Sequence, residues 1–446
     1  MDEGSNPRTG AGEVFPSVHC AARSKRGGLL ALAILLAGLG CGCDSSSEGD
    51  QASLLSSEGW ARDSAGILIV ETAIDVAAGP VRWEVSSAPT LELGSEEIPS
   101  EVFFGVRGLR ALPDGGILVV DAGSREVRFF DASGNLRKQI GRRGRGPGEF
   151  DDPHLVQSLQ NDSLLLWDGG LSRFQLLSGH GEYVGTINLS RPWPTGRNPP
   201  LGAVDSLLLV RRPEMITPWM PQNLGPVERW LQYVWLDPSN GTEVPVVSFT
   251  TRLSNRLPHR DGRGGVGRIP LRTAPSATVT RSSALVSDGE NPEIREYAMD
   301  GELRRIIRVP AFRRPVTHEV EEGVIRYLMT RNRWSREDAQ WWLNEMPTPD
   351  TLPAFRSLQV DEAGWIWAEV FHWDMTRQSG DWMIFDPEGR AQGILSAPED
   401  LQIQRIGEDF LLGVWWDDWG IEHVRKYSLT REPNDTDPTA GDERQD

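Results

Sequence analysis

The sequence predicts an all-β fold made of repeated antiparallel meanders, and two observations carry that prediction. The first is composition: 47 Gly and 31 Pro among 446 residues supply many turns, while 17 Trp and 13 Phe are too many for a disordered chain. The second is self-similarity, because one pattern of short apolar strands and polar turns recurs six times between residues 103 and 430. Together they exclude a coiled coil, a collagen and a multi-span membrane protein.

The N-terminal segment is predicted to be an export signal. Three basic residues, Arg23, Lys25 and Arg26, precede an apolar run of 11 residues at 29–39. A membrane-spanning helix needs ~20 residues, so this run is too short to be one. Cys41 and a Ser-rich stretch follow, and the segment resembles a bacterial lipoprotein signal, in which such a Cys carries the lipid. Plain export or a simple anchor is the alternative.

The chain is acidic, with 64 Asp and Glu against 46 Lys and Arg and a formal charge of −18. This balance disfavours nucleic acid as a partner, since an acid-rich surface repels phosphates. All three Cys lie before residue 44, so the folded part is predicted to have no disulfide, thiolate metal site or Cys nucleophile. We expect a monomer whose partner is a protein, peptide or glycan, and which meets a membrane only through the lipid anchor.

Each repeat contains a very apolar second strand and a third strand that ends in an aromatic residue or Leu. The second strands lie at 117–121, 164–168, 207–211, 284–288, 365–369 and 410–414. The third strands lie at 127–130, 174–177, 233–236, 294–297, 382–385 and 424–427. Gly- and Asp-containing turns between such strands are typical of antiparallel hairpins. Four-stranded meanders of about 40–45 residues indicate the blades of a β-propeller, which hides strand edges by closing into a ring.

The last repeat lacks an outer strand of its own. Three segments before the first repeat, at 66–71, 81–85 and 90–94, are predicted to supply that strand and to lock the ring. The prediction is therefore six blades, with seven as the alternative if residues 66–94 form most of a blade. The domains that follow from it are a signal of lipoprotein type (1–40), a flexible tether (41–62), the propeller (63–430) and a disordered acidic tail (431–446).

Residues 316–347 are the one predicted helical insertion. Val320 and Val324 recur at helical spacing, Ser335 begins a capping box, and Pro347 ends the stretch. The insertion connects the fourth strand of one blade to the first strand of the next. It therefore either forms a lid at the channel mouth or packs on the top of a blade.

The first repeat resembles an NHL repeat. It reads Gly-Gly-Ile-Leu-Val-Val-Asp over 115–121, then Phe-Asp at 130–131, then a Gly-rich stretch that ends in Glu-Phe at 149–150. The match fades in the other repeats. The whole chain is similar to uncharacterised exported six-bladed propeller proteins of bacteria, with which it shares Trp83 and the Pro-Ala-Phe at 353–355. The resemblance implies a fold and a location but no reaction, since propellers host many functions.

Long connections collect on one predicted face. In a blade, the turns between the first and second strands and between the third and fourth strands share one face, and the remaining connections share the other. The second group contains the long segments, at 141–153, 190–200, 251–270 and 311–352 between blades and at 211–230 and 370–380 within them. Because long connections carry function, the binding surface is predicted on that face.

Arginines concentrate in two of these connections. The candidate ligand-binding residues among them are Arg142, Arg143, Arg145, Arg256, Arg260 and Arg263, with Arg252, Arg268 and His259 close by in sequence. One interpretation is a basic mouth for an anionic ligand, since Arg binds carboxylate and phosphate through two hydrogen bonds. The other is ion pairing with loop carboxylates such as Asp151, Asp152 and Asp261.

A second candidate set joins aromatic and acidic side chains. It consists of His372, Trp373 and Asp374 in one within-blade connection and Trp415, Trp416 and Trp419 in another. Such groups suit a sugar, a peptide or a cation. Because three Trp within five residues cannot all point inward from one strand, at least one is predicted to be exposed at the rim.

Catalytic signals are sparse. Ca²⁺ ligands could come from Asp121, Asp168, Asp288, Asn291 and Glu369, which would suit an enzyme of the propeller lactonase or lyase kind. Asp121 and Asp168, however, occupy the position at which an NHL-type blade carries a turn-capping Asp, and on that interpretation no cofactor is expected. No His stands near a Gly-x-Ser-x-Gly motif, and no His are spaced for zinc.

The sequence thus predicts an exported, lipid-anchored propeller that acts as a binding or scaffold module at the cell envelope. One alternative is a metal-dependent hydrolase, lactonase or lyase. Another is a carbohydrate- or peptide-binding surface protein. Whether the chain catalyses a reaction stays open at this point.

Overall fold

The computed structural model describes residues 60–72, 81–159, 163–189, 198–215, 224–260, 263–373 and 380–433. The predicted signal, Cys41, Asp261 and Asp374 lie outside the described residues, as do nearly all of the predicted tether and tail. In the part of the chain that is described, no helix is both long and apolar enough to cross a membrane.

Strands dominate the described chain and assemble into six mainly antiparallel sheets. Four strands precede the repeats: β1 (Trp60–Ser64), β2 (Ile67–Glu71), β3 (Val81–Val85) and β4 (Leu91–Leu93). The first sheet contains β5 (Val106–Ala111), β6 (Ile117–Asp121), β7 (Glu126–Phe130) and β8 (Leu136–Ile140). The second contains β9 (Pro153–Ser158), β10 (Leu164–Asp168), β11 (Arg173–Leu177) and β12 (Tyr183–Asn188). The third contains β13 (Gly202–Val204), β14 (Leu207–Met215), β15 (Gly225–Leu236), β16 (Glu243–Arg260) and β17 (Arg263–Arg268).

The other three sheets follow the same order. The fourth is built on β18 (Ser276–Val279), β19 (Ser283–Ser287), β20 (Glu293–Ala298) and β21 (Leu303–Arg308). The fifth contains β22 (Phe355–Val360), β23 (Ile366–Val370), β24 (Asp381–Phe385) and β25 (Ala391–Ser396). The sixth is built on β26 (Gln402–Ile406), β27 (Phe410–Trp416) and β28 (Glu422–Pro433). The all-β fold with four-stranded antiparallel sheets is therefore as predicted.

The core lies between the faces of neighbouring sheets. All five residues of β6, β10 and β19 are buried, because these second strands are covered on both faces. Apolar clusters fill the spaces between consecutive sheets. A further cluster joins the sixth sheet to the first, with Leu412 and Val414 packed against Leu109 and Val119.

Hydrogen bonds reinforce the junction between the sixth and first sheets. The Glu422 Oε2 atom accepts bonds of 2.8 Å from the backbone N–H groups of Gly105 and Val106. Between the first strands of these two sheets, Arg405 Nε on β26 donates to the Leu109 carbonyl on β5 at 3.2 Å. The first and last repeats in sequence are therefore direct neighbours in space.

The strands before the repeats divide between two sheets. As predicted, β3 and β4 pair with β28 and supply the outer strand of the sixth sheet. The prediction for 66–71 was wrong, because β2 pairs in parallel with β21 and extends the fourth sheet together with β1. The described strands of 66–94 therefore belong to the fourth and sixth sheets and form no seventh sheet. Any exposed outer strand offers free N–H and C=O groups. The apolar sequence of a segment therefore does not specify which sheet edge it will pair with.

Two segments that were predicted as loops are strands. Residues 251–270 belong mostly to β16 and β17, and 211–230 belong mostly to the ends of β14 and β15. β16 is 18 residues long and β15 is 12, so these strands run past the sheet as an antiparallel ribbon, which we call the β15–β17 ribbon. One face of the ribbon is buried, with Thr251, Asn255 and Leu257 on it, but the remaining positions carry Arg and Gly, so the composition resembles that of a loop.

The predicted helical insertion forms two helices, α1 (His318–Asn332) and α2 (Arg336–Asn344). The hydroxyl of Thr317 caps α1 by accepting a 3.4 Å bond from the Val320 N–H. The predicted capping box is present, with the Asp338 N–H donating to Ser335 Oγ at 3.1 Å. Arg333 ends α1 in the left-handed region, with a φ of 55°.

Candidate functional site

A pocket of about 390 Å³ lies between the helical insertion and the rims of the sheets. Its walls come from α1, α2, the segment 268–273 that leads from the ribbon to the fourth sheet, and the connection after β23. The apolar lining residues are Ile269, Leu271, Val324, Tyr327, Leu328, Trp342, Val370 and Phe371. The polar lining residues are Arg268, Arg272, Thr273, Asn332, Arg356, Glu369 and His372. The pocket is on the face that the sequence predicted for binding.

The helical insertion is held over this pocket by apolar packing. Val324 and Leu328 of α1 are buried in one cluster with Leu343 of α2. Trp373 packs on α1 at Gly323, where an added Cβ would lie 1.8 Å from the Trp373 Cζ3 atom. The connection after β23 and the first helix are thus locked together, which fixes the shape of the pocket wall.

Ion pairs and one free guanidinium surround the pocket. Arg272 Nη1 lies 2.5 Å from Glu290 Oε1, and Arg356 Nη1 lies 3.4 Å from Glu369 Oε1. Arg268 is exposed at the end of the ribbon, and it forms no salt bridge with any described carboxylate. An apolar cavity with a cation at its edge can accept a molecule that has an apolar body and an acidic group.

The stacked pair His372 and Trp373 stands at the same rim. The two rings are 5.8 Å apart with an interplanar angle of 23°. His372 lines the pocket, whereas Trp373 is used to pack against α1.

The Arg-rich connection after β8 is folded on itself. Arg142 Nη2 lies 2.7 Å from Glu149 Oε1, and the carbonyl of Arg145 accepts a 2.7 Å bond from Arg173. The Gly146 N–H and then Arg142 hold the pKa of Glu149 below its usual range. Arg143 is exposed and bridges to Phe150 through its backbone. Ion pairing therefore occurs, but the partner is Glu149 and neither of the predicted residues, Asp151 and Asp152.

The arginines of the ribbon spread along its length. Arg252 pairs with Glu228 at 2.6 Å, and Arg256 is half-buried. Arg260 and Arg263 are backbone partners at the tip of the ribbon. The side chains of these two residues and of His259 are not among those that the structure describes.

The three late tryptophans have different environments. Trp419 is 89% exposed in the turn after β27, so the prediction of one exposed Trp at the rim is confirmed. The guanidinium of Arg425 lies 3.5 Å from the ring centroid of Trp415. Trp416 packs against the cluster between the sixth and first sheets.

The five candidate metal ligands are spread over four separate turns or strands. Asp121 is fully buried and accepts bonds from the N–H of Gly123 and the hydroxyl of Ser124. Asp168 accepts bonds from the backbone of residues 151, 152 and 171. Asp288 caps its own turn, where Asn291 donates to it, and Glu369 accepts from Ser357. Within the described ranges no three His, Cys, Asp or Glu side chains group as a metal site would require.

A second cavity, of about 660 Å³, is lined by the first strand of every sheet. Examples are Arg110 on β5, Gln157 on β9, Thr278 on β18 and Arg405 on β26. It adjoins the turns that follow these strands, so it opens on the face opposite the pocket. We call it the channel cavity.

Comparison with known proteins gives likeness to solved structures only. No family model matches the chain, and no curated protein matches it. A member of the DUF4221 family from Bacteroides vulgatus is 11% identical, with 78% of this chain and 99% of that chain covered and a TM-score of 0.45. An inactive virginiamycin B lyase from Staphylococcus aureus is 9% identical over 78% and 100%, with a TM-score of 0.35. Regucalcin, a calcium-binding protein from Agrobacterium tumefaciens, is 10% identical over 74% and 92%, with a TM-score of 0.31.

Sequence reasoning missed most of the pocket lining. Tyr327 and Trp342 lie in the segment predicted only as a helical insertion, and Arg272 and Arg356 belong to none of the predicted motifs. The signal that did locate the site was the length of the connections at 311–352 and 370–380.

Proposed function

We propose that this chain is an exported, lipid-anchored, closed six-bladed β-propeller of the NHL-like kind, which binds an amphipathic acidic ligand in the pocket under its helical insertion. Closure is supported by the cluster and hydrogen bonds between the sixth and first sheets. It is further supported by the channel cavity, since one cavity touches the first strand of every sheet. A ring explains both, because only ring closure makes the first and last repeats neighbours.

The ligand class follows from the lining of the pocket. A volume of about 390 Å³ suits a small molecule or a short peptide segment. Aromatic and aliphatic side chains from α1 and α2 would cover an apolar body. Arg268, at the rim, would pair with a carboxylate or another acidic group. The single observation that carries the proposal is this combination of an apolar cavity and a free cation.

The test uses 8-anilino-1-naphthalenesulfonate, a probe with an apolar aromatic body and an anionic group. We expect one probe molecule to bind saturably to the full chain, and the fluorescence of the probe measures this binding. Arg268→Glu should weaken binding about tenfold, because a favourable charge becomes a repulsive one. Tyr327→Ala should weaken it as well by removing part of the apolar wall.

The matched control is Arg252→Glu, which makes the same charge change on the ribbon outside the pocket. It should leave probe affinity unchanged. Equal affinities for the wild type, Arg268→Glu and Tyr327→Ala would refute the pocket as the ligand site.

A glycan-binding role is the second candidate, and the exposure of Trp419 favours it. A Trp ring that is 89% exposed on the long-connection face is a platform on which a sugar ring could stack. Binding of the full chain to a glycan array should fall on Trp419→Ala and persist in Tyr327→Ala. A Trp419→Ala variant with unchanged array binding would exclude this role.

The anchor is tested separately. Labelling of the chain with a radioactive fatty acid in its bacterial host should require Cys41 and be lost in Cys41→Ala. Equal labelling of the variant would remove the lipid anchor from the proposal and leave plain export.

A further inference from the structure

The channel cavity contains an arginine without an acidic partner. Arg405 stands on the inner strand β26 and lines the cavity. Its guanidinium donates from Nε to the Leu109 carbonyl at 3.2 Å. Among the residues that the structure describes, this is its one hydrogen bond, and no carboxylate forms a salt bridge with it. The two terminal NH₂ groups of the guanidinium therefore remain available to a ligand.

Other positive groups stand near Arg405. Arg110 and Arg281 line the same cavity. Arg281 donates to the carbonyl of Glu362 at 3.0 Å, which leaves its positive charge uncompensated by a carboxylate there. Desolvation lowers the pKa of Arg405, Glu362 opposes that shift, and Arg110 adds to it. Arg nevertheless stays protonated, so the cavity holds a poorly solvated cation.

None of the acidic residues that line the cavity forms a salt bridge with Arg405. Asp361 is buried and accepts bonds from Arg431 at 2.8 Å and from the indole N–H of Trp367 at 3.1 Å. Asp205 and Glu362 are exposed at the turns, toward solvent. Asp361 is therefore already paired with Arg431, whereas Arg405 has no salt-bridge partner among the described residues.

We propose that the channel cavity binds a compact oxyanion, the carboxylate or phosphate group of a small molecule, through Arg405, with Arg110 and Arg281 adding positive charge. The guanidinium would bind two oxygens in parallel, as Arg does with both kinds of anion. The cavity of about 660 Å³ is large enough for the rest of a small molecule. This site is separate from the pocket of the proposed function and lies at the opposite face.

The experiment is calorimetric titration of the full chain with inorganic phosphate in one arm and with citrate in the other, at constant ionic strength. We expect saturable binding of at least one anion at one site per chain. The arm that binds more tightly distinguishes phosphate from carboxylate. Arg405→Gln should weaken that binding about tenfold or more, since it removes a charge-assisted pair. Arg304→Gln, a control on β21 outside the channel cavity, should leave affinity unchanged.

A second measurement needs no variant, in case Arg405→Gln fails to fold. Phenylglyoxal modification of the wild-type chain, read by peptide mass spectrometry, should label Arg405, and the bound anion should protect it. Labelling of Arg304 should be insensitive to the anion. The proposal is overturned if neither anion binds saturably, if Arg405→Gln folds and binds as the wild type does, or if the anion does not protect Arg405.

Discussion

Replacing Gly323 by Ala tests how α1 is attached to the rest of the fold. Gly323 lies inside a helix, where Ala is ordinarily more stable by about 1 kcal/mol. Here the new Cβ would lie 1.8 Å from Cζ3 and 2.4 Å from Cη2 of Trp373. The optimal separation of two carbon atoms is about 3.5–4.0 Å, so the indole ring must move away. Overpacking of this kind costs about 1–3 kcal/mol.

Subtracting the gain in helix propensity from the overpacking cost, we expect Gly323→Ala to lower the free energy of unfolding by up to ~2 kcal/mol. Urea denaturation followed by Trp fluorescence measures it. In a Trp373→Ala background the clash is gone, and the same Gly323→Ala change should raise stability instead. Gly185→Ala on the outer strand β12 is the matched control, because an added Cβ meets nothing within 4 Å there. Stabilisation by Gly323→Ala in the wild-type background would refute the packing of Trp373 on α1.

Two further predictions concern buried polar groups. Burial lowers the pKa of the His154 imidazole on β9. Between that lowered pKa and about 6.5, the pKa of His in the unfolded chain, the unfolded chain binds more protons than the folded chain, so the free energy of unfolding falls as the pH falls. His154→Gln should flatten the change in urea midpoint between pH 7.5 and 5.5, and an unchanged slope would contradict this account. Asp121→Ala should cost about 2–4 kcal/mol of unfolding free energy, because buried donors lose their acceptor. Asp288→Ala, at a solvent-accessible turn, should cost distinctly less in the same urea experiment, and equal costs would count against burial as the cause.

The repeated sheets were predictable because burial leaves a strong local signal. The second strand of a sheet is covered on both faces, so it must be apolar throughout, as Ile117–Asp121 is until its last residue. Asp121, the last residue of this strand, was also predictable from the sequence, because the N–H groups of a buried turn need an acceptor. The helix caps at Thr317 and Ser335 are equally local. Each of these features depends on residues within a few positions of one another.

Pairings between distant segments were less predictable. β2 could have joined any sheet with a free edge, and its parallel pairing with β21 joins residues more than 230 positions apart. The β15–β17 ribbon was mispredicted for another reason, because its buried face carries polar residues such as Thr251 and Asn255 beside Leu257 and so lacks the apolar alternation of a core strand. Arg and Gly there have the composition of a loop, although the backbone is extended.

The arginines show why a binding site cannot be read from charge density along the chain. Arg142 stands in the most basic connection, yet Glu149, seven residues later, pairs with it. Arg405 is the single basic residue of its strand, β26, yet the fold places it in the wall of the channel cavity, where no described carboxylate forms a salt bridge with it. A dense basic loop attracts local acidic partners, because flexible neighbours can reach it at little cost. A single Arg on the first strand of a sheet has fewer such neighbours, since the adjacent strands present only what their own registers allow. In repeated-sheet proteins of this kind, isolated cations on first strands are therefore better candidates for anion binding than clustered cations in loops.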